Sequence, residues 1–246
     1  MKQFNVLGLS LRDFSVREAM RRINLYLNNG VCNTIDFVTQ DILLKASSSE
    51  ELKNWIESMD MTVCATADIL VAGKALSRSR EKEINSNLLL KELLKKLSRE
   101  GRSIHLISNL DSRMAHLQSS LCSFSPGLNI IGTSIIDGSE SKCDAAINEI
   151  NSSVPDTVII FLPSPESERF LSENKKRMNT PLSIAIREAS LKVTETGNIR
   201  TRGIGNAIMR KIFHSVAAKY DKKNSDTPIF RRARNGKIVA EEDFDE

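Results

Sequence analysis

With 246 residues, 40% of them apolar and 27% charged, the chain has the makeup of a soluble globular protein able to bury a substantial core, and no apolar run approaches a membrane span. Aromatic residues make up only 5% and Trp55 is the one tryptophan, which argues against a stacking platform for single-stranded nucleic acid. The net charge of +4 is uneven: residues 187–240 carry a net +9, the last six residues hold five acids, and residues 1–186 balance to zero, so an anionic partner is expected for the C-terminal quarter.

Asn5 to Leu11 reads as a short strand or hairpin. Ser15-Val-Arg-Glu18 is a capping box, in which hydroxyl and carboxylate satisfy each other's backbone amides. The helix it opens has Ala19, Ile23, Leu25 and Leu27 as its apolar side and ends at Asn28-Asn29-Gly30. Thr34 to Val38 is the next strand, followed by a helix from Gln40 to Ala46 and another from Glu50 to Met59 capped by Ser48 or Ser49. Met61 to Ala65 is an apolar strand, and the polar turn Thr66-Ala67-Asp68 leads into a helix from Ile69 to Leu76. The charge run Ser77 to Glu83 is expected as a solvated loop. Asn87 is expected to cap the helix Leu88 to Glu100, whose core stripe is Leu89, Leu90, Leu93, Leu94 and Leu97 and which stops at Gly101.

From Ser103 strands and helices alternate: strand Ile104–Ile107, helix Asp111–Leu121, strand Leu128–Ile131, then a helix from Ser139 or Ser141 to Ile150. Val158 to Leu162 is an unbroken apolar run, the signature of a strand buried on both faces of a parallel sheet. Pro163-Ser164-Pro165 ends it, Glu166-Ser167-Glu168-Arg169 begins a helix to Lys176, and Pro181–Ile186 is one more strand. The alternation predicts an α/β fold over residues 1–190, a Rossmann-like parallel sheet flanked by helices. Ligands of such sheets bind beyond the carboxyl ends of the strands, so the polar turn after Leu162 is the first candidate site.

Past Ser190 the pattern changes. Ile204, Ile208, Met209, Ile212, Phe213, Val216 and Tyr220 recur at helical spacing, with Arg210, Lys211 and Lys219 marking the other side. This basic helical appendage, residues 191–221, either packs on the core or lies on an anionic membrane surface through Ile204–Tyr220. Residues 222–246 are polar enough for a flexible tail. The start of the chain lacks a secretory pattern, so a cytoplasmic protein is expected, peripheral on the inner membrane face if the appendage binds lipid. Cys32, Cys64, Cys122 and Cys143 form no CxxC pair and read as buried free thiols. His105, His116 and His214 are dispersed, and no metal site is predicted.

Four stretches together carry a resemblance: VLGLSLRDFSVREAMRRI near the start, the leucine helix NLLLKELLKKL, the strand-turn-strand PGLNIIGT, and PSPESERF after the buried strand. From about Asn5 to about Ala217 the chain resembles the WecG/TagA/CpsF glycosyltransferases. These transfer N-acetylmannosamine or a related sugar from a UDP donor to a lipid-linked acceptor in wall or surface polysaccharide synthesis. The resemblance implies UDP-sugar and a lipid-linked acceptor as partners and no metal or other cofactor; a homo- or hetero-oligomer is left open by the sequence. The family's Thr-Pro-Asn run falls at Phe37-Val38-Thr39, implying a catalytic position for Thr39. Its Asp-Gly-x-Gly turn falls on Ala65-Thr66-Ala67-Asp68, so Ala65 stands at the position of the proposed base and Asp68 is the nearest substitute. The Pro-Lys-Gln-Glu turn becomes Pro165-Glu166-Ser167-Glu168, and Gly197 with Arg200 and Arg202 follows where the family approaches the diphosphate, so Pro165, Ser167, Glu168, Gly197, Arg200 and Arg202 are the implied substrate-binding residues. Two readings remain open: a divergent sugar transferase, and a catalytically impaired relative that binds a nucleotide-sugar or a partner protein.

Overall fold

A computed structural model of the chain describes residues 2–191, 204–225, 230–232 and 238–240. Strands β1 (Lys2–Val6) and β2 (Leu9–Asp13) form an antiparallel hairpin. Its two turn residues, Leu7 at φ 53° and Gly8 at φ 80°, both take the left-handed conformation that matches the twist of a tight hairpin. Gly8 is doubly required, because a Cβ there would lie 2.5 Å from the Tyr220 hydroxyl.

Helix α1 (Val16–Tyr26) begins with the predicted capping box: the Ser15 amide donates to Glu18 Oε2 at 2.9 Å and the Glu18 amide donates to Ser15 Oγ at 3.3 Å. Ala19, Ile23 and Leu27 are buried, but Leu25 is 66% exposed. Two residues turn a helix by roughly 200°, which places Leu25 opposite the stripe that flanks it. The chain continues through β3 (Asn33–Val38), α2 (Gln40–Ala46), α3 (Glu50–Glu57), β4 (Met61–Cys64) and α4 (Ala67–Ala72).

The charge run expected as a loop is instead helix α5 (Arg78–Asn85). Ser77 caps it, accepting from the Arg80 amide at 3.3 Å, and Ile84 is buried. Arg78, Glu81 and Lys82 are exposed, but Arg80 and Glu83 are half-buried and paired with other elements. Arg80 Nε donates to Asp13 Oδ1 at 2.9 Å, and Glu83, also bonded to Arg80, accepts from the Val16 amide at 3.2 Å. Helix α6 (Leu88–Arg99) buries the predicted leucine stripe, each fully buried leucine contributing about 1.5–3 kcal/mol. Asn87 precedes it at φ 51°, and its side chain does not cap the helix but donates to the Ala189 carbonyl at 3.3 Å.

The second half runs β5 (Ser103–Ser108), α7 (Asp111–Phe124), β6 (Asn129–Ile135), α8 (Glu140–Ser153), β7 (Thr157–Phe161), α9 (Glu166–Asn174), β8 (Leu182–Ala185) and α10 (Glu188–Leu191). Helix α11 (Ile204–Ser225) follows, and the short strands β9 (Phe230–Arg232) and β10 (Ile238–Ala240) pair antiparallel. The main sheet has the order β4-β3-β8-β7-β5-β6 with every pairing parallel, so all six strands end on one edge. One face packs under α1, α6 and α7 through Phe37, Leu106, Ile159 and Ile184. The other is covered in two patches, by the hairpin with α2, α3 and α4, and by α8 with α9.

Helix α11 packs on α2 and α4, with Phe213 and Ala217 buried and Val216 partly so. The sequence pattern thus splits: this stripe docks, whereas Ile208 and Ile212 are 53% and 47% exposed. Among the described residues no helix is long and apolar enough to cross a membrane. All four cysteines are free, but of the four only Cys64 is buried and Cys122 is exposed.

Candidate functional site

The loops that follow the parallel strands meet along the carboxyl edge of the sheet. Thr39 and Gln40 open α2 after β3, Ala65 and Thr66 lead from β4 into α4, Asn109 follows β5, and Pro163 to Pro165 join β7 to α9. Arg187 and Ser190 follow β8. Buried polar atoms without a partner concentrate here: Gln40 Oε1, Thr66 Oγ1, Asn109 Oδ1, Ser164 Oγ, Arg187 Nε and Ser190 Oγ, joined by Asp36 Oδ2 inside β3. Among the described residues only His105 Nδ1 and Thr157 Oγ1 are such atoms elsewhere. Most buried polar groups in proteins are hydrogen-bonded. A row of unpaired donors and acceptors along one sheet edge is suited to a polar ligand.

A charged cluster lies within this edge. One Arg187 nitrogen, Nη2, donates to Asp36 Oδ1 at 2.5 Å and to Glu168 Oε1 at 2.7 Å, while Ser167 Oγ donates to Glu168 Oε2 at 3.0 Å. Both carboxylates are fully buried, and Arg187 is 8% exposed. Burial pushes the Asp36 carboxyl up to about 7; the Arg187 charge opposes the rise and Glu168 reinforces it. The cluster ties β3 itself to α9, which follows β7, and to the residues just past β8. A single cation between two desolvated anions is destabilising to break, because a lone buried charge remains.

The predicted site residues separate accordingly. Ser167 and Glu168 face inward and shape the turn from beneath, whereas Pro165 is exposed at the start of α9. Thr39 is 7% exposed and its Oγ1 donates to Asp41 Oδ1 at 2.5 Å. The turn is gripped from α2, where Lys45 Nζ donates to the Ser164 carbonyl at 3.1 Å. Asp68, on the first turn of α4, faces α11: its Oδ1 lies 3.0 Å from Arg210 Nε and 3.2 Å from His214 Nε2. Ala65 lines a small, mainly apolar chamber of about 30 Å³ with Phe37, Val63 and Leu89, where a methyl group can take no proton. Gly197, Arg200 and Arg202 lie outside the described residues.

Three participants were not singled out from the sequence. Asp36 interrupts the apolar run Ile35–Val38 and Arg187 ends the apolar run Ile184–Ile186, and a charge inside a buried run is a signal that was there to be read. His214 offered none, because only the docking of α11 brings it to Asp68. At the carboxyl ends of β6 and β7, a groove of about 320 Å³ opens between α8 and α9, with Ile136, Leu162 and Phe170 on its walls. Arg169 also lines this groove.

An open parallel sheet flanked by helices, with buried polar atoms collected at its carboxyl edge, is a Rossmann-like α/β fold, the class whose ligands bind beyond that edge. The chain belongs to the WecG/TagA/CpsF family of glycosyl transferases, whose model matches residues 4–194. That span takes in the whole parallel sheet and the Asp36–Arg187–Glu168 cluster and stops before α11. No curated protein matches the chain.

Proposed function

We propose that the protein transfers a sugar of the N-acetylmannosamine type from a UDP donor to a lipid-linked acceptor in the synthesis of a surface polysaccharide, with the donor at the carboxyl edge of the sheet. The observation that carries this reading is the row of unpartnered buried polar atoms on that edge, within the span of the family match. The outer side of α11 supports the lipid part, since exposed Ile208 and Ile212 stand beside exposed Arg210 and Lys211. The test is UDP release from UDP-N-acetylmannosamine and UDP-N-acetylglucosamine, with and without a lipid-diphosphate acceptor. Acceptor-dependent release is expected from one of the two donors.

Ala65 at the position of the family's proposed base favours a second reading, a nucleotide-sugar binder without turnover that serves as a scaffold or regulator. Calorimetry with UDP separates the two when read beside the release assay. Binding together with turnover removes the scaffold reading, and binding without turnover supports it.

A further inference from the structure

We propose that His214, held by Asp68, is the general base that activates the acceptor hydroxyl; this rests on the reading of the protein as a sugar transferase. A displacement at the anomeric carbon needs a group to take the proton of the attacking alcohol. Ala65 cannot do so, and the carboxylate nearest to it in sequence, Asp68, is engaged: its Oδ1 meets Arg210 Nε at 3.0 Å and His214 Nε2 at 3.2 Å. The same carboxylate is well suited to orient an imidazole and to stabilise the imidazolium that forms when it takes a proton.

The pair stands at the carboxyl edge of the sheet. Asp68 sits on the first turn of α4, directly past the carboxyl end of β4, and Thr66 Oγ1 beside it is one of the unpartnered atoms of the crevice. Helix α11 is fixed there by Phe213, which is fully buried, and by the Tyr220 ring over Gly8. His214 itself remains reachable, its side chain 34% exposed, and with Nε2 turned to Asp68 it is Nδ1 that would meet a substrate. In the step, Nδ1 takes the proton of the acceptor alcohol, the alcohol oxygen forms the new bond to the anomeric carbon, and the bond from that carbon to the diphosphate breaks. The electron pair of the broken bond leaves on UDP. The positive charge on the imidazole is balanced by Asp68, and the proton passes to solvent when product departs.

The plainer role for the contact is to dock α11. Full-length His214→Ala and His214→Gln, assayed for UDP release with UDP-N-acetylmannosamine and a lipid-diphosphate acceptor, separate the roles. A base predicts a kcat about 10²- to 10⁴-fold lower with donor KM and calorimetric UDP affinity unchanged, and recovery of part of the rate in His214→Ala, but no gain in the wild type, on adding imidazole. Turnover equal to the wild type overturns the proposal. So does a loss that imidazole does not relieve and that UDP affinity and melting temperature share, which is the mark of undocking. Turnover in the wild type with an unaffected His214→Gln leaves the transferase reading standing without this base, and no turnover in the wild type removes both.

Discussion

Replacing Arg187 by Met tests whether the buried cluster holds the crevice together. The substitution keeps the length of the side chain but removes the one cation that, among the described residues, contacts Asp36 Oδ1 and Glu168 Oε1, at 2.5 and 2.7 Å. Two carboxylates with 0% side-chain exposure are then left facing each other. Breaking a buried pair in this way costs about 3–5 kcal/mol, a large share of a typical domain's stability. The sign of the pH dependence follows from the carboxyls. Asp36 already stands at about 7 against an ordinary 3.8 because burial disfavours its charge, and loss of Arg187 removes the influence that opposes the rise. A carboxyl whose folded pKa is raised destabilises the fold above that pKa, and the penalty fades as pH falls through it. Urea unfolding followed by circular dichroism is therefore expected to show a deficit of several kcal/mol at pH 8 that shrinks markedly by pH 5. Adding Asp36→Asn and Glu168→Gln to Arg187→Met is expected to recover much of the loss. A deficit below about 1 kcal/mol at pH 8, or one that does not change with pH, refutes the reasoning.

Asp36→Asn alone removes the titration: relative to this variant the wild type is expected to lose stability as pH rises from about 4 to about 7, the window between the ordinary and raised values, with the gap level above it in urea titrations. Ile208→Asp with Ile212→Asp is expected to abolish pelleting with anionic liposomes and leave the melting temperature unchanged, because both side chains are exposed; unchanged pelleting removes the membrane role. Phe213→Asp, by contrast, places a charge at a fully buried position and is expected to cost about 3 kcal/mol or more by urea unfolding. Glu83→Ala removes the acceptor of the Val16 amide and leaves Arg80 with Asp13 alone, and is expected to cost about 1–3 kcal/mol in the same assay.

The fold was legible where local rules and burial agree. The capping box at Ser15, the leucine stripe of α6 and the apolar run of β7 each satisfy propensity, periodicity and core packing at once. Misreadings arose where a distant element decided the outcome. The run at Ser77 is rich in charge and reads as solvated, yet Asp13 and the Val16 amide take up its arginine and glutamate. Leu25 was grouped with its neighbours by composition and excluded from them by helical geometry. The candidate site shows the same division. The turn at Pro163–Glu168 was visible as a polar break after a buried strand, but the buried charge of Glu168 is met by Arg187, which is 19 residues further along the chain. The pairing of Asp68 with His214 spans 146 residues and depends on how α11 docks, which no local pattern encodes.

Hydrogen–deuterium exchange with and without UDP-N-acetylmannosamine tests the placement of the donor most directly. The account predicts slowed exchange in peptides covering Thr39 to Asp41 and Ser164 to Arg169, whose backbone lines the carboxyl edge, and no change in α3. Protection confined to other surfaces, or none at saturating donor, contradicts it.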